Sequence, residues 1–592
     1  MDRAITRSKF GVARLWALGL AGVIFLSVVA MSFMRGQLGQ PGPDGDDAVR
    51  LVQIRDLLGG QGWFDLHQYR LGPNGGTLMH WSRIPDIPII MLTGVFDVFL
   101  PQDTALAWAI TAWPPISILI VLAGLALAVR NIGDDKLLIF TFIVALFVLF
   151  GHFRFQAGAI DHHNLQIGFL AVAVGASLDG QVSRRNMALS GVMLALSVAV
   201  GAELYPFVAV LCAFHAVDWA WRGAKIRGGT MTFGAVLAGA IAVCFFGMVP
   251  QAAWGRVYCD ALSLISLLAL ATGGVGLALC AALLSGYNRV IRFAGLGAIG
   301  IACGLAFLIQ GPQCLGNPLD VLTVDMREIW LGSITEARPM FAQRGGRWPF
   351  VAYAMGPSLV ALGLSVFGLF RRRDIRRDMM FTLLLSLGLI LMLYQVRFYV
   401  FGSLLAIIPC AVWARDAFDA GRREGGQRAG YLLPLALSSP ALWALPVMLV
   451  LPSPALNIGG ERSCLSGATR AAVDSAPPGM ILSDSNIGSV LLETTPHSVM
   501  YANYHRDIAG IAASLEAFGL PPDQVPALLA ENQVDYVLFC PNAGENETFQ
   551  KIRPDGFLAR LTAGEVPDWL QPVEPLPEDG SSGRFYRVIP QN

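Results

Sequence analysis

Long apolar runs separated by short polar breaks dominate the first three quarters of the chain. Crossing a bilayer as a helix takes about 17 to 25 predominantly apolar residues. Runs of that kind fall near 13–34, 103–129, 136–151, 165–179, 187–201, 204–220, 229–249, 260–285, 291–309, 347–369, 379–395, 398–414 and 430–452, a total of thirteen expected spans. The basic leader MDRAITRSK precedes an apolar run too long for a typical signal-peptide core, so the first run reads as a retained span. From about residue 454 the pattern changes. Strand-like runs such as GMILSD and DYVLFCP alternate with helical stretches rich in Ala, Leu and Glu, the pattern of a folded α/β domain. The expected architecture is a polytopic all-α membrane domain over 1–453 followed by an α/β domain over 454–592.

Composition agrees: 54% of residues are hydrophobic and 14% charged, against roughly a quarter charged in soluble domains. A net charge near zero provides no field for nucleic acid. Nine Cys in 592 residues make no disulfide scaffold, and no Cys/His run has zinc-site spacing. The cationic breaks test the span count. With the N-terminus cytoplasmic, Arg130 and Lys136, Arg184 and Arg185, Arg222 with Lys225 and Arg227, Arg289 and Arg292, the Arg371–Arg377 cluster, and Arg415 to Arg428 all fall on the inner side. The loops 35–102, 152–164 and 310–346 and the terminal domain are then expected outside.

Those outer segments hold the chemistry. Asp44, Asp46 and Asp47 stand after a Pro/Gly turn at the start of an amphipathic helix, where one N-cap would suffice and adjacent carboxylates invite a cation. Further along the same loop, Asp65, His67, His80, Trp81 and Arg83 are candidates for the wall of a site, and loop packing is the plainer reading for each. In AIDHHN, Asp161 and His163 are presented together if residues 159–163 turn rather than continue a helix, and His162 then points away. Oxygen and nitrogen donors of this kind suit Mn2+ or Mg2+, with Mn2+ accepting imidazole more readily. Glu336 ends the tetrapeptide SITE at 333–336, and Arg397 in YQVRFYVF stands at the outer end of a span, where a cation must pair or snorkel.

Taken in order and sidedness, these motifs resemble the catalytic subunit of oligosaccharyltransferase within the GT-C superfamily of membrane glycosyltransferases. DDAVRL resembles that family's first acidic motif, AIDHHN its second and SITE its late-loop Glu motif; WFD at 63–65 resembles another segment of its first loop. The resemblance implies a metal ion held by Asp47, Asp161, His163 and Glu336. It makes Asp47, Glu336 and Asp161 the catalytic residues, and Asp47 orients the acceptor. Arg397, with His80 and Arg83, is expected to bind the phosphate of a polyprenyl-linked sugar donor. The implied reaction is inverting transfer of a sugar or glycan from a polyprenyl phosphate or diphosphate to a periplasmic glycan, lipid or protein acceptor. The implied location is a bacterial inner membrane.

Two departures bear on the acceptor and the metal. The family's WWDYG segment, which reads a glycosylated Asn-x-Ser/Thr sequence, has no counterpart; LSDSNIG at 482–488 and VMYANYHRD at 499–507 are the nearest polar-aromatic segments. The second acidic motif ends in His163 rather than an acid, which lowers its charge. An acceptor other than asparagine is therefore at least as well supported. The alternatives are a metal-independent glycan ligase or polymerase and, further off, a lipid-linked glycan transporter or a noncatalytic assembly subunit. Cys464 with Cys540, and Cys259 with Cys314, are each open between a disulfide and free thiols.

Overall fold

The computed structural model describes the chain apart from residues 1, 35–37, 151, 317–321, 333, 343–346, 424–429, 452–463, 466, 578–581 and 591–592, and apart from the side chains of 2–13 and 544. Ser333 of the SITE motif and the expected 453/454 boundary lie outside the described residues. Two compact units form. The first comprises Met1–Gln40, Trp81–Pro318 and Arg338–Pro454, and the second comprises Pro41–His80, Leu319–Ala337 and Ala455–Asn592.

Among the described residues, sixteen α-helices lead from the N-terminus to residue 450. They are α1 (Asp2–Met34), α2 (Gly45–Leu58), α3 (Asp86–Asp97), α4 (Gln102–Ile132), α5 (Asp135–Leu149), α6 (His163–Ser177), α7 (Arg184–Val200), α8 (Tyr205–Arg222), α9 (Arg227–Met248), α10 (Leu264–Leu284), α11 (Arg289–Gln310), α12 (Trp348–Arg371), α13 (Ile375–Tyr394), α14 (Tyr399–Arg423), α15 (Leu432–Ser438) and α16 (Pro440–Val450). All but α2 belong to the first unit. Among the described residues, eight helical stretches are long and apolar enough to cross a membrane; one runs through α8 and α9, and the pair α15 and α16, bent by 71°, makes a ninth if it counts as one span. The expected runs at 136–151, 165–179 and 187–201 fold as the shorter α5 and α6, of 15 residues each, and α7, of 17.

Small residues set the packing that places the site. A Cβ on Gly124 of α4 would lie 2.6 Å from the Ala171 backbone of α6, and one on Gly175 of α6 would collide with the Gly124 carbonyl. Only hydrogen at both positions lets the two helices approach this closely. α6 also packs on α7, α7 on α9, and α9 on α10, while α14 packs on α5, α12 and α13. Cys259 and Cys314 are disulfide-bonded within this unit, which closes that alternative.

The second unit is built on a five-stranded sheet. With β1 (His67–Gln68) and β2 (Thr77–Leu78) forming a separate hairpin, its strands are β3 (Met480–Leu482), β4 (Ser498–Val499), β5 (Val534–Phe539), β6 (Leu570–Pro572) and β7 (Arg584–Val588). Their order is β4-β3-β5-β7-β6, parallel across β4-β3-β5 and antiparallel across β5-β7-β6. GMILSD and DYVLFCP thus supply β3 and β5, as their pattern predicts. Cys464 and Cys540 are bonded here.

Two segments distant in sequence complete this unit. Residues 70–72 join the sheet edge, with the Val499 amide donating to Arg70 O (2.9 Å) and the Gly72 amide to Val499 O (2.8 Å). The Arg70 guanidinium donates to the carbonyls of Leu492, Thr495 and His497. From the other segment, Leu322, Met326, Ile329 and Trp330 enter the apolar core beside Val537, Phe539 and Phe549.

Candidate active site

In the first unit, three breaks between helices converge on one polar cluster. α5 ends before a 3-10 turn at Phe153–Phe155 that carries Arg154. Residues 159–162 then turn, and the helix starts at His163, so Asp161 and His163 are presented together as expected. Gly201, in extended conformation, ends α7; a 3-10 turn at Ala202–Leu204 carries Glu203, and Pro206 opens α8. A third such turn, Val396–Phe398, carries Arg397 between α13 and α14.

Charge inside an apolar body persists only when it is paired, and here the pairing is dense. Arg154, Asp161, His162, His163 and Gln166 are all buried. His162 Nδ1 lies 2.5 Å from Asp161 Oδ1, and its Nε2 lies 3.5 Å from Glu203 Oε2. Both ring nitrogens therefore face carboxylates, the environment of an imidazolium. The expectation that His162 points away is corrected: the turn at Asp161 folds its ring back between two acids. Arg154 stands 3.9 Å from Asp161, and Arg397 stands 3.4 Å from Glu203.

His163 is held differently. Its Nδ1 meets Gln166 Oε1 at 2.8 Å, and the Gln166 amide nitrogen donates to Glu203 Oε2 at 2.9 Å. Its Nε2 faces Asp161 Oδ2 at 3.3 Å. The His162 ring lies 4.5 Å away, centroid to centroid. Because the Gln166 nitrogen is committed to Glu203, its oxygen faces His163, which then carries its proton on Nδ1. Its Nε2 lone pair and a carboxylate oxygen then point at each other, an arrangement that fits a divalent cation as the common partner. Side-chain nitrogen and oxygen atoms of Asp161, His162 and His163 lie within 4.8 Å of one another, and both His162 ring nitrogens are taken up by carboxylates.

The second unit holds the other motif residues. Asp44 is the N-cap of α2 and accepts from the Asp46 amide at 3.2 Å. Carboxylate oxygens of Asp44, Asp46 and Glu336 all lie within 4.8 Å of one another. Asp47 is buried in the first turn of α2. The structure thus brings Glu336 to Asp44 and Asp46. The backbone amide of His80 donates to the Tyr504 hydroxyl at 2.5 Å, and His80 Nδ1 lies 2.6 Å from the same oxygen. Arg83, in the first unit, is fully buried and ion-paired with Asp86 at 3.3 Å. Asp65 accepts from the His67 amide and the Tyr69 hydroxyl, a loop-packing role.

Sequence reasoning passed over Glu203 and Arg154. The signal was present: Glu203 lies in a two-residue break between the runs 187–201 and 204–220, on the side expected to be outer, where an acid has no reason to sit unless paired.

The fold matches that of solved oligosaccharyltransferase structures, the family the motifs resemble. The particular likeness is to the oligosaccharyltransferase AglB of Archaeoglobus fulgidus. Its complex with an inhibitory peptide and a dolichol-phosphate matches with a TM-score of 0.65 at 15% identity, covering 94% of this chain and 73% of that one. The apo form of the A. fulgidus enzyme matches with a TM-score of 0.66 at 15% identity over 92% and 72% of the two chains. Its complex with Zn and sulfate matches at 0.58 and 14% identity over 91% and 70%. No family model and no curated sequence matches the chain.

Proposed function

We propose that the protein is a metal-dependent inverting glycosyltransferase, moving a sugar or glycan from a polyprenyl phosphate or diphosphate to an acceptor at the outer face of the membrane. The observation that carries this reading is the Asp161–His163 pair, whose Oδ2 and Nε2 face each other at 3.3 Å inside apolar protein. Asp161 and His163 are the residues to hold a divalent ion, with Mn2+ favoured over Mg2+ by the imidazole. Once bound, the ion supplies positive charge for a phosphate group. The Zn and sulfate complex and the dolichol-phosphate complex of the structural neighbour support both halves of the proposal.

The chain's own residues then have distinct work. Arg397, with Arg154 in the same cluster, receives the negative charge that grows on the departing phosphate. The resemblance gives Asp47 and Glu336 the remaining roles of ligand and acceptor-orienting carboxylate, with Asp47 taking the acceptor's proton. In a direct displacement the acceptor atom bonds to the anomeric carbon as the bond to the carrier phosphate breaks. No enzyme nucleophile is required. His80 and Arg83 belong to the proposal as donor-site walls. Thirteen spans, a cytoplasmic N-terminus, a boundary near 453/454 and an extracytoplasmic terminal domain in a bacterial inner membrane complete it.

A metal-independent ligase is the second reading. It is favoured by one contact: His162 already offers Asp161 Oδ1 a positive partner at 2.5 Å. Purified protein in nanodiscs, given a polyprenyl-linked sugar pool and a membrane extract as acceptor source, separates the two. Mass spectrometry should show transfer that requires Mn2+ or Mg2+, stops in chelator, and is lost in Asp47→Ala and Asp161→Ala. Undiminished transfer in chelator and in both variants selects the metal-independent reading.

A further inference from the structure

Glu203 collects three donors at one carboxylate. Arg397 and the His162 ring approach it directly, at 3.4 and 3.5 Å, and the Gln166 amide nitrogen donates to it at 2.9 Å. Because a carboxylate only accepts, Gln166 must turn its nitrogen toward Glu203 and its oxygen toward His163. That oxygen in turn only accepts, so His163 must carry its proton on Nδ1 and leave Nε2 bare. One acid thus decides, through an amide 37 residues earlier in the chain, which nitrogen of the His163 imidazole can bind a cation. Space for the relay comes from Gly201, where a Cβ would press to 2.6 Å from Glu203 Oε2 and collide with the Gln166 amide nitrogen.

We propose that Glu203 and Gln166 are positioning residues that together fix the metal-binding tautomer of His163, and that Glu203 also holds Arg397 in place. The proposal rests on the metal-dependent reading above. Partners of a ligating imidazole's second nitrogen commonly set metal affinity by about 10- to 100-fold. Replacing Glu203 by Gln frees the Gln166 amide to flip, which presents its nitrogen to His163 Nδ1 and moves the proton to Nε2. Exchanging both residues, Gln166→Glu with Glu203→Gln, restores an acceptor opposite Nδ1 at unchanged net charge.

The test is Mn2+ affinity, measured by calorimetry on the purified full chain in nanodiscs without substrate. Asp161→Ala controls for the reading itself: unchanged Mn2+ binding in that variant removes the metal site and this inference with it. With the control binding no Mn2+, Glu203→Gln and Gln166→Leu should each weaken affinity by about 10- to 100-fold, and the double exchange should return it to within about threefold of wild type. Gln166→Leu keeps the Glu203 charge, so a loss in that variant separates the relay from simple electrostatics. Affinity within about threefold of wild type in Gln166→Leu, or a double exchange as weak as Glu203→Gln, overturns the proposal. If Glu203→Gln does not fold, Gln166→Leu decides alone. Donor KM provides an independent split: it should rise equally in Glu203→Gln and in the double exchange, because both release Arg397.

Discussion

Asp507 makes the stability of the second unit depend on pH. It caps the helix Ile508–Gly519, accepting from the Gly510 amide at 3.1 Å, and it is 3% exposed. Gly72, at φ +86°, leaves room for its carboxylate where any Cβ would collide with Oδ1. Burial is the largest influence on the group and raises its pKa; hydrogen bonds from Gly510 and Thr77 oppose it, and the result is a carboxyl pushed up from 3.8 to about 7. The folded state therefore holds a proton that the unfolded state gives up between pH 4 and 7. Stability is full below pH 3.8, falls as pH rises toward 7, and is flat above. At about 1.4 kcal/mol per pH unit the whole displacement is worth about 4 kcal/mol, and the part between pH 5 and 7 about 3 kcal/mol. Hydrogen exchange of residues 508–519 in the full chain, corrected for intrinsic rate, should show opening about a hundredfold more frequent at pH 7 than at pH 5. Asp507→Asn keeps a capping acceptor and should be flat across that range. A change below threefold in the wild type, or an equal change in the Asn variant, refutes the reasoning.

Two further outcomes are expected. Trp330→Ala should cost the second unit about 3 to 5 kcal/mol, because the indole is buried in its core; faster protease cleavage within 319–337 checks it, and wild-type resistance counts against the docking of that segment. Replacing Cys464 and Cys540 by Ser opens a loop of 76 residues and should destabilise the unit by about 4 kcal/mol, read as a lowered chemical-denaturation midpoint of the 455–592 peptides in hydrogen exchange.

Much of the fold was legible because its signals are local. An apolar run declares a helix fit for lipid, and alternation in GMILSD and DYVLFCP declares β3 and β5, whatever the rest of the chain does. Asp161, His163 and Arg397 stood out for the same reason: an ionisable group beside an apolar run requires a partner, and the requirement is visible before the partner is. Which partner answers was decided only in three dimensions. Glu203, 42 residues after Asp161, meets His162, Gln166 and Arg397 because Gly124 and Gly175 let α4 and α6 close together and Gly201 leaves the gap. The expected division at 453/454 followed composition, whereas the compact second unit also takes Pro41–His80 and Leu319–Ala337. Trp330 and Arg70 bury their surface and their donors against it, and burial has no sequence period when the buried face belongs to a loop. His162 shows the limit most directly: spacing assigned it away from the site, and a single turn at Asp161 put it between two carboxylates. Sequence by itself determined the elements and the need for charge pairing, and tertiary structure chose the pairs, because the cost of burying a charge is local while the group that offsets it is wherever packing brings it.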